Sequence, residues 1–532
     1  MTATFSFEFG HRFILVCDWP VAFLVYTDEN VYTPDPASLS VAPRPGGLTL
    51  TAQGFAGAGL QQRAAGTFRA EIWYVDGGFE CDLEAALTER IKGTTLLLRD
   101  RRPKSVPTRD YGEEACPPHG ALLDYPSSLR LPVFPLERAD GSFLTIASLD
   151  ERVRGKTVAV VPDGDGATLE LHHYEDARHW SPRQVTPTWR VVRGADPAPL
   201  FAARREIAER AWGLRPWETR ADVPGWAREL GLVLNLHGVH WTGYVFNTYA
   251  QQLDIIRYVA ERIEGRRVLA YLAAWDGRYN YNWPRYEAEQ RLGGADGLRR
   301  LVAEAHRLGV RVIPQIGAVS ANRRYLPSEL HRAACQDAYG NTYVKNVDWD
   351  NDRAPDTYRV NANLGHPGFR QFLLEKTFAI TEAFGFDGIF LDINMQFSND
   401  PRFHLTEGHR AFAAACHERF KDYLLFGENW YDGLLPIYPL VHSVTGRGAG
   451  VPHRWADVFD RYCRTTYHLI HPAPGRGSTG VYEAGYLPVF EPDPNVNAIP
   501  AISFVEDTLR DHRAAIDRHL EIARTYLRRM GI

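Results

Sequence analysis

The chain has 532 residues, 45% hydrophobic and 23% charged, with a formal net charge of −5. That is longer than one ordinary domain, and the composition suits a globular protein with a large core. A near-neutral balance without a basic block argues against nucleic acid as the main partner. No apolar run approaches the roughly 20 residues of a membrane-spanning helix, so no membrane partner is expected.

Six cysteines are scattered without a CxxC pair, which predicts reduced thiols and no disulfide framework. The first residues, Met1 to Phe7, carry no positive segment and no long apolar core, so a cytoplasmic protein is expected. Lysine occurs at positions 92, 104, 156, 345, 376 and 421 and at no expected strand end in the second half. That disfavours Schiff-base chemistry, which needs a desolvated lysine at the site.

In chain order, residues 1–195 read as many short extended segments: 4–9, 12–17, 22–26, 48–52, 67–75, 94–98, 129–134, 143–147, 157–161 and 168–172. Turn signals separate them, such as Pro45-Gly46-Gly47 and Asp76-Gly77-Gly78. This rhythm predicts an antiparallel β-sandwich. His172 and His173 read as ordinary strand residues. Residues 196–228 read as a helical linker, with a helix over 200–212 whose wet face carries Arg204, Arg205, Glu209 and Arg210.

Over 229–532 strand and helix patterns alternate. Strands are expected at 232–236, 268–274, 310–316, 386–392, 424–428, 438–444, 466–471 and 499–505. Helices are expected at 249–263, 294–308, 368–384, 407–421 and 511–529, with a long insertion at 318–364. Eight such units over roughly 300 residues give the size and rhythm of a (β/α)8 TIM barrel. A doubly wound sheet is the alternative, disfavoured because no Gly-rich nucleotide loop follows the first strand.

A barrel of this kind carries its site at the C-terminal ends of the strands. Those ends hold His237, Trp275-Asp276, Gln315, Asp392 with Asn394, Glu428-Asn429-Trp430, His442, His471 and Glu506-Asp507. After the second strand come Trp275, Tyr279, Tyr281 and Trp283 with Asn280 and Asn282 interleaved, a pattern suited to stacking on sugars and binding their hydroxyls. Asp392 and Glu428 end adjacent strands, which lie roughly 5 Å apart. Their carboxyls are therefore expected about 5–6 Å apart, near the separation in a retaining glycosidase. Asp387 reads as structural.

Three motifs resemble the α-amylase-like glycoside hydrolases. They are Gly294-Ala295-Asp296-Gly297-Leu298 with Gly309-Val310-Arg311-Val312-Ile313-Pro314, Gly385-Phe386-Asp387-Gly388-Ile389-Phe390-Leu391-Asp392, and Phe426-Gly427-Glu428. The resemblance is nearest to the α-N-acetylgalactosaminidase branch, both endo and exo, whose members also place a β-sandwich before the barrel. It covers about residues 200–532. It implies a retaining α-glycosidase with Asp392 as nucleophile and Glu428 as acid/base, an oligosaccharide or glycoside as substrate, and no cofactor.

Two departures stand out. Phe390 occupies the place of the amylases' arginine, and the third aspartate has no clear counterpart, leaving Glu506, Asp507 or His442 as candidates. The other readings are a transglycosylase with the same residues, a carbohydrate-binding protein without catalysis, and a metal-dependent hydrolase using His237, His240, His442, His471 and Asp507. An oxygen-ligand loop at Asp348, Asp350 and Asp352 and a phosphate loop at 475–480 are weaker signals. The sugar, the linkage and the oligomeric state are not legible.

Overall fold

The computed structural model describes residues 4–5, 11–109, 111–240, 242–278, 281–342, 344–347, 353, 357–442, 461–466 and 498–532. From Thr4 to Gly194 the chain forms one large antiparallel sheet of 16 described strands. Side chains alternate between its faces, as the two-residue strand period demands. Leu50, Ala70 and Leu83 lie in register across three strands, and Ala52, Phe68 and Ala85 form the next row. All are buried, and large residues oppose small ones.

The organising strand is Gly78–Arg101, of 24 residues. Its first half pairs with Gln62–Val75 and Ser181–Gly194, and its second half with Trp19–Thr27 and Gly166–Tyr174. Only residues 94–98 of it stand out in the sequence, because Glu80, Asp82 and Glu84 alternate with the buried residues of the first half.

The helix Ala198–Trp212 ends at Gly213, which adopts φ 66°. Its buried stripe is Leu200, Phe201, Arg204, Ile207 and Ala208. Arg204 is therefore not on the wet face. Its guanidinium donates to Asp432 at 2.7 Å, and both side chains are buried.

Among the described residues the second half builds a nearly closed, all-parallel sheet of nine strands. In chain order they are Leu232–Val239, Val268–Arg278, Arg311–Gly317, Gly388–Asp392, Leu424–Gly427, Leu440–His442, Arg464–Thr466, Ala498–Ile499 and Ala501–Phe504. Each of the first seven pairs with its successor, and the ninth pairs back with the first. Pro500 lacks an N–H and divides the last two, which the sequence presents as one strand. Its carbonyl still accepts the Val233 N–H at 2.9 Å.

Both faces of this sheet are buried, which explains the continuous apolar runs. Val233, Leu269, Tyr271, Ile313, Phe390, Leu424, Phe426 and Leu440 share one apolar cluster on the concave side. Leu232, Leu234, Ile389, Leu391 and Leu425 belong to the core on the other side. The flanking helices include Tyr249–Ala260, Gly294–Arg307, Pro367–Phe384, Leu405–Arg419 and Arg513–Met530. Thr248 and Gln251 close a capping box at the start of the first of these.

The insertion carries a three-stranded antiparallel sheet with Thr357–Asn361 between Ser320–Asn322 and Val344–Val347. The expected seventh strand begins two residues early, at Arg464, and its stretch past Thr466 lies outside the described residues.

The two halves meet through polar contacts, buried at Asp432 and part-buried at Asn399. Tyr125 donates to Asp432 at 2.5 Å, beside the Arg204 contact. Asn399 donates to the Glu175 carbonyl and accepts from the Ala177 N–H, both at 2.9 Å.

Candidate active site

The fourth strand of the parallel sheet starts at Gly388 because any Cβ there would lie 2.2 Å from the Leu424 carbonyl oxygen. It ends at Asp392, which is fully buried. The next residue, Ile393, holds φ 58°. This left-handed conformation is rare for a β-branched residue and costs about 1–3 kcal/mol. It turns the Ile393 N–H onto Glu428 Oε2 at 2.7 Å.

The fifth strand delivers Glu428 one residue past Gly427. A Cβ on Gly427 would meet the Asn394 amide at 2.4 Å. The glycine thus lets Asn394 lie across the turn, where it donates to the Asn429 carbonyl and accepts the Asn429 N–H. Asn394 is a splint for the loop that bears Glu428.

Leu391 pairs with Gly427, and the Glu428 N–H donates to the Leu391 carbonyl at 3.0 Å, so Glu428 and Asp392 follow each other at neighbouring strand ends. Glu428 is held well above the usual carboxyl range, first by burial and then by the charge of Asp392. The Arg359 guanidinium, on the insertion sheet, acts in the opposite direction. Gln315 accepts the Ala274 N–H through Oε1, which aims its Nε2 at Asp392 Oδ2. Burial and the Asp392 charge thus favour the protonated form of Glu428.

Beneath the acids sits Tyr271, its ring 4.4 Å from that of Phe390 and its hydroxyl raised well above the ordinary phenol range, by burial and then by Asp392 and Glu428. His442 packs against Phe390 and Phe426 with ring centroids 5.0 and 5.1 Å away, and burial pushes it down to about 3, so the imidazole is neutral. His237 is buried with Asn235 and Ser503, its Nε2 2.7 Å from the Ser503 hydroxyl.

Several sequence-predicted residues take other places. Trp275 points away from any cleft. It is wholly buried, edge-on to Phe384 and Phe386, with its indole N–H on the Gln315 carbonyl at 2.9 Å, so no ring face is left for a sugar. Trp283 is 1% exposed and packs over Gly317, so it too is removed from the stacking set. Tyr281 keeps partial exposure, with Arg278 over its ring at 4.6 Å. Tyr279 lies outside the described residues, as do His471, the acidic loop at 348–352 and the 475–480 loop.

Asp276 is buried near Tyr249, Tyr286 and Glu289, and burial and then the Glu289 charge raise its carboxyl to about 8. Among the described residues neither of its carboxyl oxygens has a hydrogen-bond partner. Trp430 is buried under Arg130, whose guanidinium lies 4.5 Å above the ring and donates to Asn429 Oδ1 at 2.6 Å. Glu506 accepts the Tyr244 hydroxyl. Asp507 is exposed and paired with Arg510 at 2.9 Å. Asp387 accepts from Arg311, from the Val312 N–H and from His306, each at 2.8 Å.

Sequence reasoning missed Tyr271, Arg359 and Arg130. Tyr271 had a signal: it shares the parity of Leu269 and Ala273, so its hydroxyl had to face inward. Arg359 and Arg130 had none, because they reach the site from an insertion and from a turn between strands of the first half. Among the described residues no group of three or more His, Cys, Asp or Glu side chains is arranged to hold a metal ion. His240 is engaged with Thr242 at 2.8 Å. No described helix is long and apolar enough to cross a membrane.

No known sequence-family profile matches the chain, and no curated protein matches it in sequence. Solved structures do match. The α-N-acetylgalactosaminidase NagBb of Bifidobacterium bifidum, ligand-free, superposes with a TM-score of 0.67 at 15% identity, over 99% of this chain and 93% of that one. The α-galactosidase TtGalA of Thermus thermophilus, solved with stachyose, gives 0.54 at 11% identity over 91% and 99%. A variant of the GH36 α-galactosidase AgaA of Geobacillus stearothermophilus with raffinose gives 0.51 at 11% identity over 95% and 75%. The chain therefore shares, over nearly its whole length, the fold in which these α-glycosidases are built.

Proposed function

We propose that this chain is a retaining glycoside hydrolase acting on an α-linked glycoside, with Asp392 as nucleophile and Glu428 as acid/base. One observation carries the reading: two paired parallel strands, with Leu391 opposite Gly427, end side by side in Asp392 and Glu428. Neighbouring strands lie roughly 5 Å apart, which is nearer to the retaining separation of about 5 Å than to the wider gap that admits an inverting water.

In the first step Asp392 attacks the anomeric carbon while Glu428 gives its proton to the leaving oxygen. The glycosidic C–O bond breaks and a glycosyl ester forms. In the second step Glu428, now a carboxylate, takes a proton from water. The water oxygen displaces Asp392, so two inversions return the original configuration. Gln315 steadies Asp392, while Ile393 and Asn394 steady Glu428 and its loop.

The frame we assign is a β-sandwich over 1–195, a helical linker over 196–228 and a (β/α)8 barrel over 229–532, in the α-N-acetylgalactosaminidase branch of the α-amylase-like hydrolases, acting in the cytoplasm. The names of the structural neighbours make N-acetylgalactosamine and galactose the first sugars to try. NagBb has been solved with GalNAc and with Gal-NHAc-DNJ.

The test is a panel of aryl α- and β-glycosides with wild type, Asp392→Asn and Glu428→Gln. Cleavage of an α-glycoside that falls at least about a thousandfold in both variants is expected, with the α-anomer as first product. Cleavage that survives both substitutions overturns the assignment, and β-only activity overturns the α specificity.

A further inference from the structure

A cavity of about 630 Å³ opens between the antiparallel sheet, the insertion and the loop that follows Asp392. Its size lies within the roughly 300–1,000 Å³ of small-ligand sites. The aromatic walls are Tyr174, Trp180 and Tyr339, and amides come from Asn361, Gln396 and Asn399. Tyr339 is 71% and Tyr174 45% exposed, so these rings are not spent on the core. Lys92 stands between Trp180 and Tyr339, 5.9 and 5.2 Å from their rings, which fixes both beside it. Lys92, Tyr174 and Tyr339 also line a second hollow of about 360 Å³, which carries the groove on past Asp28, Asn30 and His172.

The cavity is lined by Gln396 and Phe397 of the loop that follows Asp392 and by neither acid, so it lies outside the place of the sugar that both acids must touch. Arg359, whose charge acts on Glu428, shares a strand with Asn361, and residues two apart point to one face. Asn361 donates to Gln396, four residues past Asp392, at 3.4 Å. In the mechanism above the leaving group departs on the side of the acid.

We infer that this groove is the leaving-group subsite, and that it takes a neutral saccharide of at least two rings. Exposed ring faces stack on the apolar faces of sugars, and interleaved amides serve their hydroxyls. The inference rests on the hydrolase reading, and its test keeps the two apart.

The probes are an aryl α-glycoside that the wild type cleaves and the same sugar α-linked to a disaccharide. In Tyr339→Ala and Trp180→Ala the ratio of kcat/KM on the disaccharide conjugate to that on the aryl glycoside falls by about tenfold, the size of one lost ring contact. A ratio unchanged within twofold in both variants overturns the subsite. A peptide-linked sugar that loses the same factor, with the disaccharide conjugate unaffected, overturns the saccharide assignment.

If the wild type cleaves no glycoside, the hydrolase reading fails alone. The groove is then read by tryptophan fluorescence during titration with raffinose, stachyose and N-acetyllactosamine. A saturable change that Tyr339→Ala abolishes supports it, and no saturable change with any of the three overturns it.

Discussion

Glu428 sits in a contest between burial and the charge of Asp392, which raise its pKa, and Arg359, which lowers it. A general acid must be protonated in the free enzyme, so kcat/KM falls as pH rises through the pKa of Glu428. Replacing Arg359 with Met removes the opposing charge. The basic limb of the pH profile then moves to higher pH, and a limb that stays in place shows that Arg359 does not act on the acid.

Asp276 supplies a second titration, read in stability. Its folded pKa, about 8, lies above its ordinary value, so the folded state holds a proton that the unfolded state has released. The penalty is absent below about pH 4, grows as pH rises and levels off above about pH 8. Asp276→Asn therefore gains more stability at pH 8 than at pH 5, by up to about 4 kcal/mol. Chemical denaturation at the two pH values checks it, and an equal effect at both shows that the side chain is hydrated.

At the scale of elements, the helix Ala198–Trp212 shows what periodicity gives and what residue type conceals. Leu200, Phe201, Arg204, Ile207 and Ala208 form a clean helical stripe. Position 204 thus belongs to the buried face by spacing alone, and only the charge of arginine suggested water. Its partner, Asp432, lies more than two hundred residues away in a loop, a pairing that no local pattern reveals. Removing one partner of a buried ion pair strands the other charge. Arg204→Ala is expected to cost about 3–5 kcal/mol in urea unfolding, whereas the exposed Arg210→Ala, next to Glu151, costs under about 1 kcal/mol.

The strand–helix–strand units were legible for a similar reason. A strand buried on both faces must be apolar throughout, so the first five strands of the parallel sheet announce themselves. The 24-residue strand did not, because one face of its first half carries Glu80, Asp82 and Glu84. The paired acids were readable as strand ends. Their supports, Arg130 and Arg359, were not, since long-range packing alone brings them in. Trp275 and Trp283 were read as sugar-facing because aromatic spacing resembles a subsite, while the ring faces went to helix and glycine contacts instead.

For the molecule as a whole, the decisive contacts cross between the two halves. Arg130 holds Asn429, Tyr125 and Arg204 hold Asp432, and Asn399 is tied to the backbone at Glu175 and Ala177. The first half thus grips the loop that presents Glu428. Thermal unfolding of the intact chain is expected to show one cooperative transition, with calorimetric and van't Hoff enthalpies in agreement. Two resolved transitions in the wild type show that the halves unfold independently.

Ile393 has a further consequence for the history of the chain under selection. Its φ of 58° is comfortable for glycine and tolerable for asparagine, so either replacement releases strain. A screen that rewards heat resistance alone will favour them. The same screen will loosen the turn that aims a backbone N–H at Glu428, and survivors will be hardier and slower. Laboratory lineages bred for robustness should therefore drift at position 393, and lineages bred for turnover should keep isoleucine there.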